Sequence, residues 1–219
     1  MARLLHIDSS PRGERSHSRC MTREFVEARI QVHPTDLVTY RDVGRNPVPH
    51  VDESWIAAAY TPPEHRSSQL QAAIRCSDQL VDEFLAADLY VIGIPMYNYS
   101  VPSTFKAYID QIVRPGRTFA VEPEDSANPY KPLVLGKKMF IITARGASGY
   151  EPGGCNERLN HQDPYLRTIF KFIGITDITF VHIENDESGG TSLAQSIAAA
   201  RTQAQLLASW SIASKPNQY

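Results

Sequence analysis

Three short stretches of this 219-residue chain gather residue types that can do chemistry. The first, Ser9-Ser10-Pro11-Arg12-Gly13-Glu14-Arg15-Ser16-His17-Ser18, joins the apolar run Leu4–Ile7 to a helical pattern. Hydroxyls at Ser10, Ser16 and Ser18, the N–H groups of a helix start and the charges of Arg12 and Arg15 suit a phosphate. The stretch has neither G-x-x-x-x-G-K-[ST] nor G-x-G-x-x-G, which disfavours a P-loop or dinucleotide site and favours a terminal phosphate monoester. The second, Pro95-Met96-Tyr97-Asn98-Tyr99-Ser100-Val101-Pro102, follows Leu89–Ile94. Met96 and Tyr97 offer apolar contact and Asn98 a donor and an acceptor, a set able to clamp a planar conjugated ring. The third, Thr143-Ala144-Arg145-Gly146-Ala147-Ser148-Gly149, follows Lys138–Thr143. Its glycines let the backbone approach a ligand and aim N–H groups at it. Each stretch also has a plainer reading: a capped helix after a polar turn, aromatics closing a sheet edge, and an ordinary glycine turn.

The elements that must position these loops are legible as periodicity. Leu4–Ile7, Leu37–Tyr40, Leu89–Ile94, Lys138–Thr143 and Ile178–Ile183 read as strands, most of them continuous apolar runs of the kind covered on both faces. Between them, Met21, Phe25, Ala28 and Val32 share one helix face, as do Leu70, Ile74, Ser77, Val81 and Phe84, and again Leu193, Ile197, Ala200, Ala204 and Leu207. Ser67 or Ser68 is placed to cap the second of these helices and Thr191 or Ser192 the last. Gly44–Arg66 is a long proline-bearing connection with a short helix at Ser54–Tyr60, and Glu122–Gly136 is a second loop-rich stretch. Strands alternating with amphipathic helices predict an α/β fold: a flavodoxin-like three-layer sandwich with a five-stranded parallel sheet in the order 2-1-3-4-5 and its ligand at the carboxyl ends of the strands. One domain is expected over 1–219.

Composition removes several function classes. Twenty-two Lys and Arg against 24 Asp and Glu leave a formal net charge of −2, without the electrostatic footprint of a nucleic-acid binder. The longest apolar runs fall far below the ~20 residues of a spanning helix, and the N-terminal residues lack the apolar region of a signal peptide. Three cysteines without a C-x-x-C pair argue against a disulfide framework or structural zinc, so a reducing, cytoplasmic setting is expected. Cys20 is expected to be a buried small apolar residue and Cys155 an exposed thiol. None of the seven histidines belongs to a tight ligand set, and His6 and His182 fall in strands. Arg114, Arg117 and Lys106 either attract an acidic cofactor or form a solvated face. No G-x-S-x-G supports a nucleophile elbow.

A phosphate cradle, an aromatic and carboxamide clamp and a glycine-rich backbone loop together describe a site for FMN. With these residues the chain resembles the FMN-dependent NADH-azoreductases, also called FMN-dependent NADH:quinone oxidoreductases, of the flavodoxin-like superfamily. The resemblance runs from Leu4-Leu5 to about Leu207. It is carried by Ser9-Ser10 with Ser16-His17-Ser18, by Pro95-Met96-Tyr97-Asn98-Tyr99, by Val113–Phe119, by Gly136-Lys137-Lys138, and by Pro164-Tyr165-Leu166 with Phe172–Asp177.

The resemblance implies a homodimer with one FMN per subunit, sites at the subunit interface, and an oxidoreductase that takes hydride from NADH and then passes two electrons to a quinone or azo compound. It implies FMN contacts from Ser10, Ser16, His17, Ser18, Met96, Tyr97, Asn98, Tyr99, Ala144, Arg145, Gly146 and Ala147. It further implies a substrate side lined by Phe119 and, from the other subunit, Phe172. Two motifs depart from the family: Tyr99 stands where Phe is usual, and Ala144-Arg145-Gly146-Ala147 replaces Ser-Arg-Gly-Gly. If the last position requires a positive φ, Ala147 is strained. Gly44–Arg66 and Gly149–Gln162 depart most and are expected to shape the substrate pocket. Tyr97, Tyr150 and His161 are candidate proton donors. The alternatives are a one-electron flavodoxin-type carrier and an FMN-binding sensor, neither turning over NADH.

Overall fold

A computed structural model describes residues 1–211. Of the domain expected over 1–219, residues 212–219 lie outside the described residues. Five parallel strands form the main sheet: β1 (Arg3–Asp8), β2 (Leu37–Asp42), β3 (Leu89–Pro95), β6 (Lys138–Ala144) and β7 (Asp177–Ile183). Their order is β2-β1-β3-β6-β7, which is the order 2-1-3-4-5 of the main sheet. β3 is buried at every position because helices cover both faces, whereas β2, at the edge, leaves Leu37, Val38 and Tyr40 exposed.

The helices divide between the two faces. α1 (His17–Val32) and α6 (Gly190–Ala208) cover one, where Met21 and Phe25 meet Val91, Phe140, Ala200 and Ala204. α3 (Ser68–Ala86), α4 (Ser103–Ile112) and α5 (Asp163–Ile173) cover the other, where Val81, Phe84, Phe105, Ile109 and Phe170 bury Ile7, Ile92 and Ile141. α2 (Glu53–Tyr60) lies in the long connection, one residue longer than its expected span of Ser54–Tyr60, and starts at Asp52, whose carboxylate accepts from the Trp55 N–H.

Local chemistry fixes the helix ends. Ser67 caps α3 as expected. Thr191 and Ser192 do not cap α6: the helix begins at Gly190 after Gly189, with no side-chain cap, so both residues lie inside its first turn. α4 and α5 escape the three periodic sets read from the sequence. α5 carries its own punctuation, Pro164 in the first turn and Gly174 at φ 117°, where the Gly174 and Ile175 N–H groups close the last turn on Phe170 O. Glu122–Gly136 is not wholly loop, because β4 (Phe119–Val121) pairs antiparallel with β5 (Tyr130–Pro132). Cys20 is half-buried rather than buried, and its thiol donates to Glu14 O at 3.3 Å. Cys155 is exposed.

Candidate functional site

The first loop is built on the N-terminus of α1. Ser16 is the N-cap; its Oγ accepts from the Arg19 N–H at 3.4 Å and lies 3.2 Å from Ser18 Oγ. Ser10 Oγ accepts from the Arg12 N–H at 3.3 Å. Ser10, Ser16 and Ser18 are all buried, so the hydroxyls line a formed cradle. The N–H groups of His17 and Ser18 belong to the first turn, where an intrahelical acceptor is lacking. Beneath the cradle, Arg19 forms two bonds to the Asp42 carboxylate, at 2.7 and 2.9 Å, and a third to Tyr40 Oη at 2.7 Å. Asp8, at the end of β1, accepts from Thr22 Oγ1 at 2.8 Å and from Tyr40 Oη at 3.0 Å. The hydrogen bond from Arg19 to Asp42 holds the guanidinium firmly ionised, above its ordinary value.

The second loop is a tight turn. Tyr97 and Ser100 exchange backbone hydrogen bonds at 3.0 Å, and the two residues between them, Asn98 and Tyr99, have φ of 49° and 66°. Two positive values make a hairpin turn of the primed kind, which Asn accepts readily and Tyr does not. The turn is anchored from below by Gln162, whose Nε2 donates to Pro95 O at 3.1 Å. The third loop needs no such strain. Ala147 does not have a positive φ, so the strain that a positive φ would impose on it is absent.

These two loops close on one cavity of about 320 Å³, lined by Met96, Asn98 and Tyr99 from one side and Gly146 and Ala147 from the other. Tyr150, Asn156 and Leu159 form its far wall. Tyr97 faces an adjoining cavity of about 500 Å³ that shares Asn98 and includes Lys106 and Tyr165. Ala144 ends β6 and acts through its backbone, accepting from the Met96 N–H at 2.7 Å. Arg145 is turned away: its Nη2 donates to Asp163 at 2.5 Å and its guanidinium stacks 5.4 Å from the Tyr150 ring. It braces the wall and does not line the cavity. Of the candidate proton donors, Tyr150 lines this cavity, Tyr97 the next, and His161 neither. Burial pushes the Tyr150 hydroxyl up, so it keeps its proton at neutral pH.

A fourth loop, after β7, was not singled out from the sequence. Asp186 pairs with Arg12 at 2.9 Å and with His17 Nε2 at 3.1 Å, and the next residue, Glu187, lines the cavity. Consecutive residues thus touch the Ser10–Ser18 loop and the cavity, placing the two side by side. A Cβ on Gly146 would lie 2.5 Å from the Glu187 carboxyl carbon, so a larger residue there requires the Glu187 side chain to move aside. The acidic pair had no periodic or motif signal. Phe119 and Phe172 meet at 5.0 Å between ring centroids, and Tyr130 joins them at 5.9 and 5.6 Å; none of the three lines the cavity. Lys106 is exposed and pairs with Asp110, whereas Arg114 is buried and Arg117 half-buried beside another cavity, so the three do not form one solvated face.

The residues fit FMN on their own chemistry. A helix start with two buried hydroxyls suits its phosphate, and an adjacent cleft with a carboxamide, a thioether and a close-approach glycine suits its ring. Among the described residues, no helix is long and apolar enough to cross a membrane and no group of three His, Cys, Asp or Glu is placed to hold a metal ion.

Comparison with known proteins agrees with this architecture. A family profile described as a flavodoxin-like fold matches residues 2–207. The chain is 55% identical over 212 residues to FMN-dependent NADH:quinone oxidoreductase 2 of Trichormus variabilis, covering 96% of this chain and all of that protein. It is 50% identical over 197 residues to FMN-dependent NAD(P)H:quinone oxidoreductase 1 of Pseudomonas aeruginosa, covering 90% and 93%. Among solved structures, an azoreductase from Bacillus anthracis superposes with a TM-score of 0.85 at 25% identity, covering 95% of this chain and 99% of that one.

Proposed function

The chain belongs to the flavodoxin-like family of FMN-dependent NADH:quinone oxidoreductases, and from that membership and the site geometry we propose that it is a single-domain FMN enzyme that oxidises NADH and reduces quinones and azo compounds. The observation that carries this reading is the junction at Asp186 and Glu187, which sets a phosphate cradle beside a ring-sized cleft. FMN, when bound, supplies acceptance of hydride and its onward delivery as an electron pair. Ser10, Ser16, Ser18 and the first-turn N–H groups of α1 hold the phosphate, with His17 beside them. Asn98 offers its carboxamide to the ring edge, Gly146 and Ala147 offer backbone N–H groups, and Met96 and Tyr99 exclude water from the ring face. Tyr150 holds a proton on Oη within the same cleft, where the reduced acceptor needs one.

The working unit in this reading is a homodimer. Asp163 at the start of α5 touches the cleft wall through Arg145, and Phe172 stands nine residues on, about 14 Å along the helix at its ~1.5 Å rise. Phe119, Phe172 and Tyr130 do not line their own cleft, and in this reading they line that of a second copy. In this arrangement NADH leaves before the acceptor enters the same space, giving two half-reactions in turn, in a cytoplasmic setting.

The test is spectral. The purified protein is expected to be yellow, to release FMN on denaturation, to bleach on anaerobic NADH and to regain colour with a quinone. Initial rates at several quinone concentrations are expected to give parallel double-reciprocal lines. A protein that binds FMN and stays yellow under NADH would be a carrier or sensor, not this enzyme.

A further inference from the structure

A third cavity shares no lining residue with the cleft or the cavity beside it. It has a volume of about 500 Å³ and is walled by the chain that leaves α2, Tyr60-Thr61-Pro62-Pro63, and by the turn Arg114–Arg117 between α4 and β4. Three guanidinium groups line it, Arg66, Arg114 and Arg117, against one carboxylate, Asp78. Arg114 is 1% exposed. Its Nη1 donates to Ser77 Oγ at 2.6 Å, its Nη2 lies 3.2 Å from Asp78, and its plane sits over Trp55, but its Nε has no partner among the described residues. Arg117 divides its charge between Asp78, at 3.5 Å, and Asp82. Arg66 is fixed by Nε, which donates to Ala58 O at 2.8 Å and Thr61 O at 3.0 Å; among the described residues no carboxylate lies within 4.0 Å of it.

Such an arrangement is unbalanced. A buried cation lacking a full set of acceptors is costly unless a further anion joins it. Burial, and the repulsion of Arg66 and Arg117, draw the Arg114 guanidinium below its ordinary value despite Asp78. An oxyanion with two oxygens on one atom matches guanidinium geometry, because the two oxygens can take two parallel N–H bonds. The pocket also adjoins the aromatic cluster: Gly116 N–H donates to Phe119 O at 2.8 Å, so one short turn carries both Arg114 and Phe119.

We propose that this cavity is a binding site for one organic oxyanion, a carboxylate, sulfonate or phosphate group, gripped by the free Nη groups of Arg66 and by Arg114. Where that group is a substituent of the electron acceptor, the site selects anionic quinones and azo dyes over neutral ones; this second part rests on the enzymatic reading given above, whereas the site itself does not. Asp78 is the competing carboxylate, so it sets how tightly a guest is held.

Titration calorimetry of the flavin-loaded protein with benzenesulfonate tests the site, since the phosphate cradle is then filled. Binding is expected in the unaltered protein, about tenfold weaker in R66Q, and severalfold tighter in D78N. The opposed directions separate a lost ligand contact from a general loss of fold, which a thermal melt of each variant reads independently. No heat with benzenesulfonate, or equal affinity in all three proteins, would overturn the site. The substrate arm compares 1,4-naphthoquinone-2-sulfonate with unsubstituted 1,4-naphthoquinone: R66Q should raise KM for the sulfonate and leave the parent compound unchanged. Sulfonate binding with no shift in that KM ratio would overturn acceptor selection and leave a free-anion site. Reduction of neither quinone, with binding intact, would sink the enzymatic reading alone.

Discussion

The guanidinium of Arg19 donates to the carbonyl oxygen of Ser10 at 2.5 Å, so the phosphate cradle is held from beneath by the helix it leads into. The same group satisfies Asp42, at the end of the neighbouring strand. One cation therefore ties the ends of β1, β2 and α1 to the cradle's backbone.

Removing that cation leaves Asp8 and Asp42 facing each other with little water. R19M is expected to lower stability by about 3–5 kcal/mol, the usual penalty for stranding a buried partner. R19K keeps the charge but cannot bridge Asp42, Tyr40 and Ser10 together, so it should lose less stability and still hold FMN more weakly. Urea unfolding and fluorimetric FMN titration give the two numbers; an unchanged urea midpoint in R19M would remove Arg19 from this role.

Gly44 backs the same cradle. A Cβ there would lie 2.6 Å from the Ser10 carbonyl carbon and 2.8 Å from that of Ser9, both backbone atoms. G44A must displace the loop, at about 1–3 kcal/mol of overpacking, and should weaken FMN binding by about tenfold or more, because a carbonyl shift of even ~1 Å misaims its donors. The dissociation constant for FMN checks this; retention equal to the unaltered protein would mean the cradle does not depend on its backing.

Tyr99 sits at φ 66° with nearly half its surface exposed. Glycine enters that conformation without the left-handed penalty of ~1–2 kcal/mol. Y99G is therefore expected to raise the melting temperature of the flavin-free protein while weakening FMN binding, since a wall of the cleft is lost. Movement of both quantities in the same direction would contradict a strained turn kept for its contact with the ring.

His182 contributes a pH dependence of stability. Burial, then the charge of Arg145, push it down to about 4, with Asp163 opposing; Thr143 Oγ1 lies 2.8 Å from its Nδ1. The unfolded chain binds this proton from its ordinary value of about 6.5 downward. Between about pH 6.5 and 4 the unfolded state holds more protons, so stability falls as pH is lowered through that window. Glu184, raised by burial, acts in the opposite sense. The difference between unaltered protein and H182Q isolates the histidine: the variant should lose the slope that His182 supplies, and identical stability profiles would refute the assignment.

The strands and three of the four loops are readable in the sequence because they obey simple rules. Continuous apolar runs such as Leu89–Ile94 mark strands covered on both faces, and the observed β3 overshoots that run by Pro95 alone. Ser16 and Ser18 announce a helix start, and the structure puts both in the cradle. What stayed hidden depends on chain folding rather than local pattern. Asp186 and Glu187 look like a solvated turn until β7 carries them to Arg12 and Gly146. Arg145 reads as a cation for the ligand, yet Asp163, 18 residues on, takes it into the wall. α4 and α5 have well-separated apolar faces but span only 10 and 11 residues, too short for the long repeated stripe that marks α1, α3 and α6, and three-residue strands such as β4 and β5 carry almost no periodicity.

Three backbone bonds continue the sheet's ladder beyond its strands: Ser9 N–H to Gly93 O at 3.0 Å, Met96 N–H to Ala144 O at 2.7 Å, and Arg145 N–H to Ile183 O at 2.8 Å. The rim is in effect a selvage woven from the most rigid layer of the molecule. A guest arriving there meets groups already frozen, and little conformational entropy is left to be lost on docking. Variation that retunes recognition is confined to the tips that overhang this edge, while its footing must stay as stiff as the core.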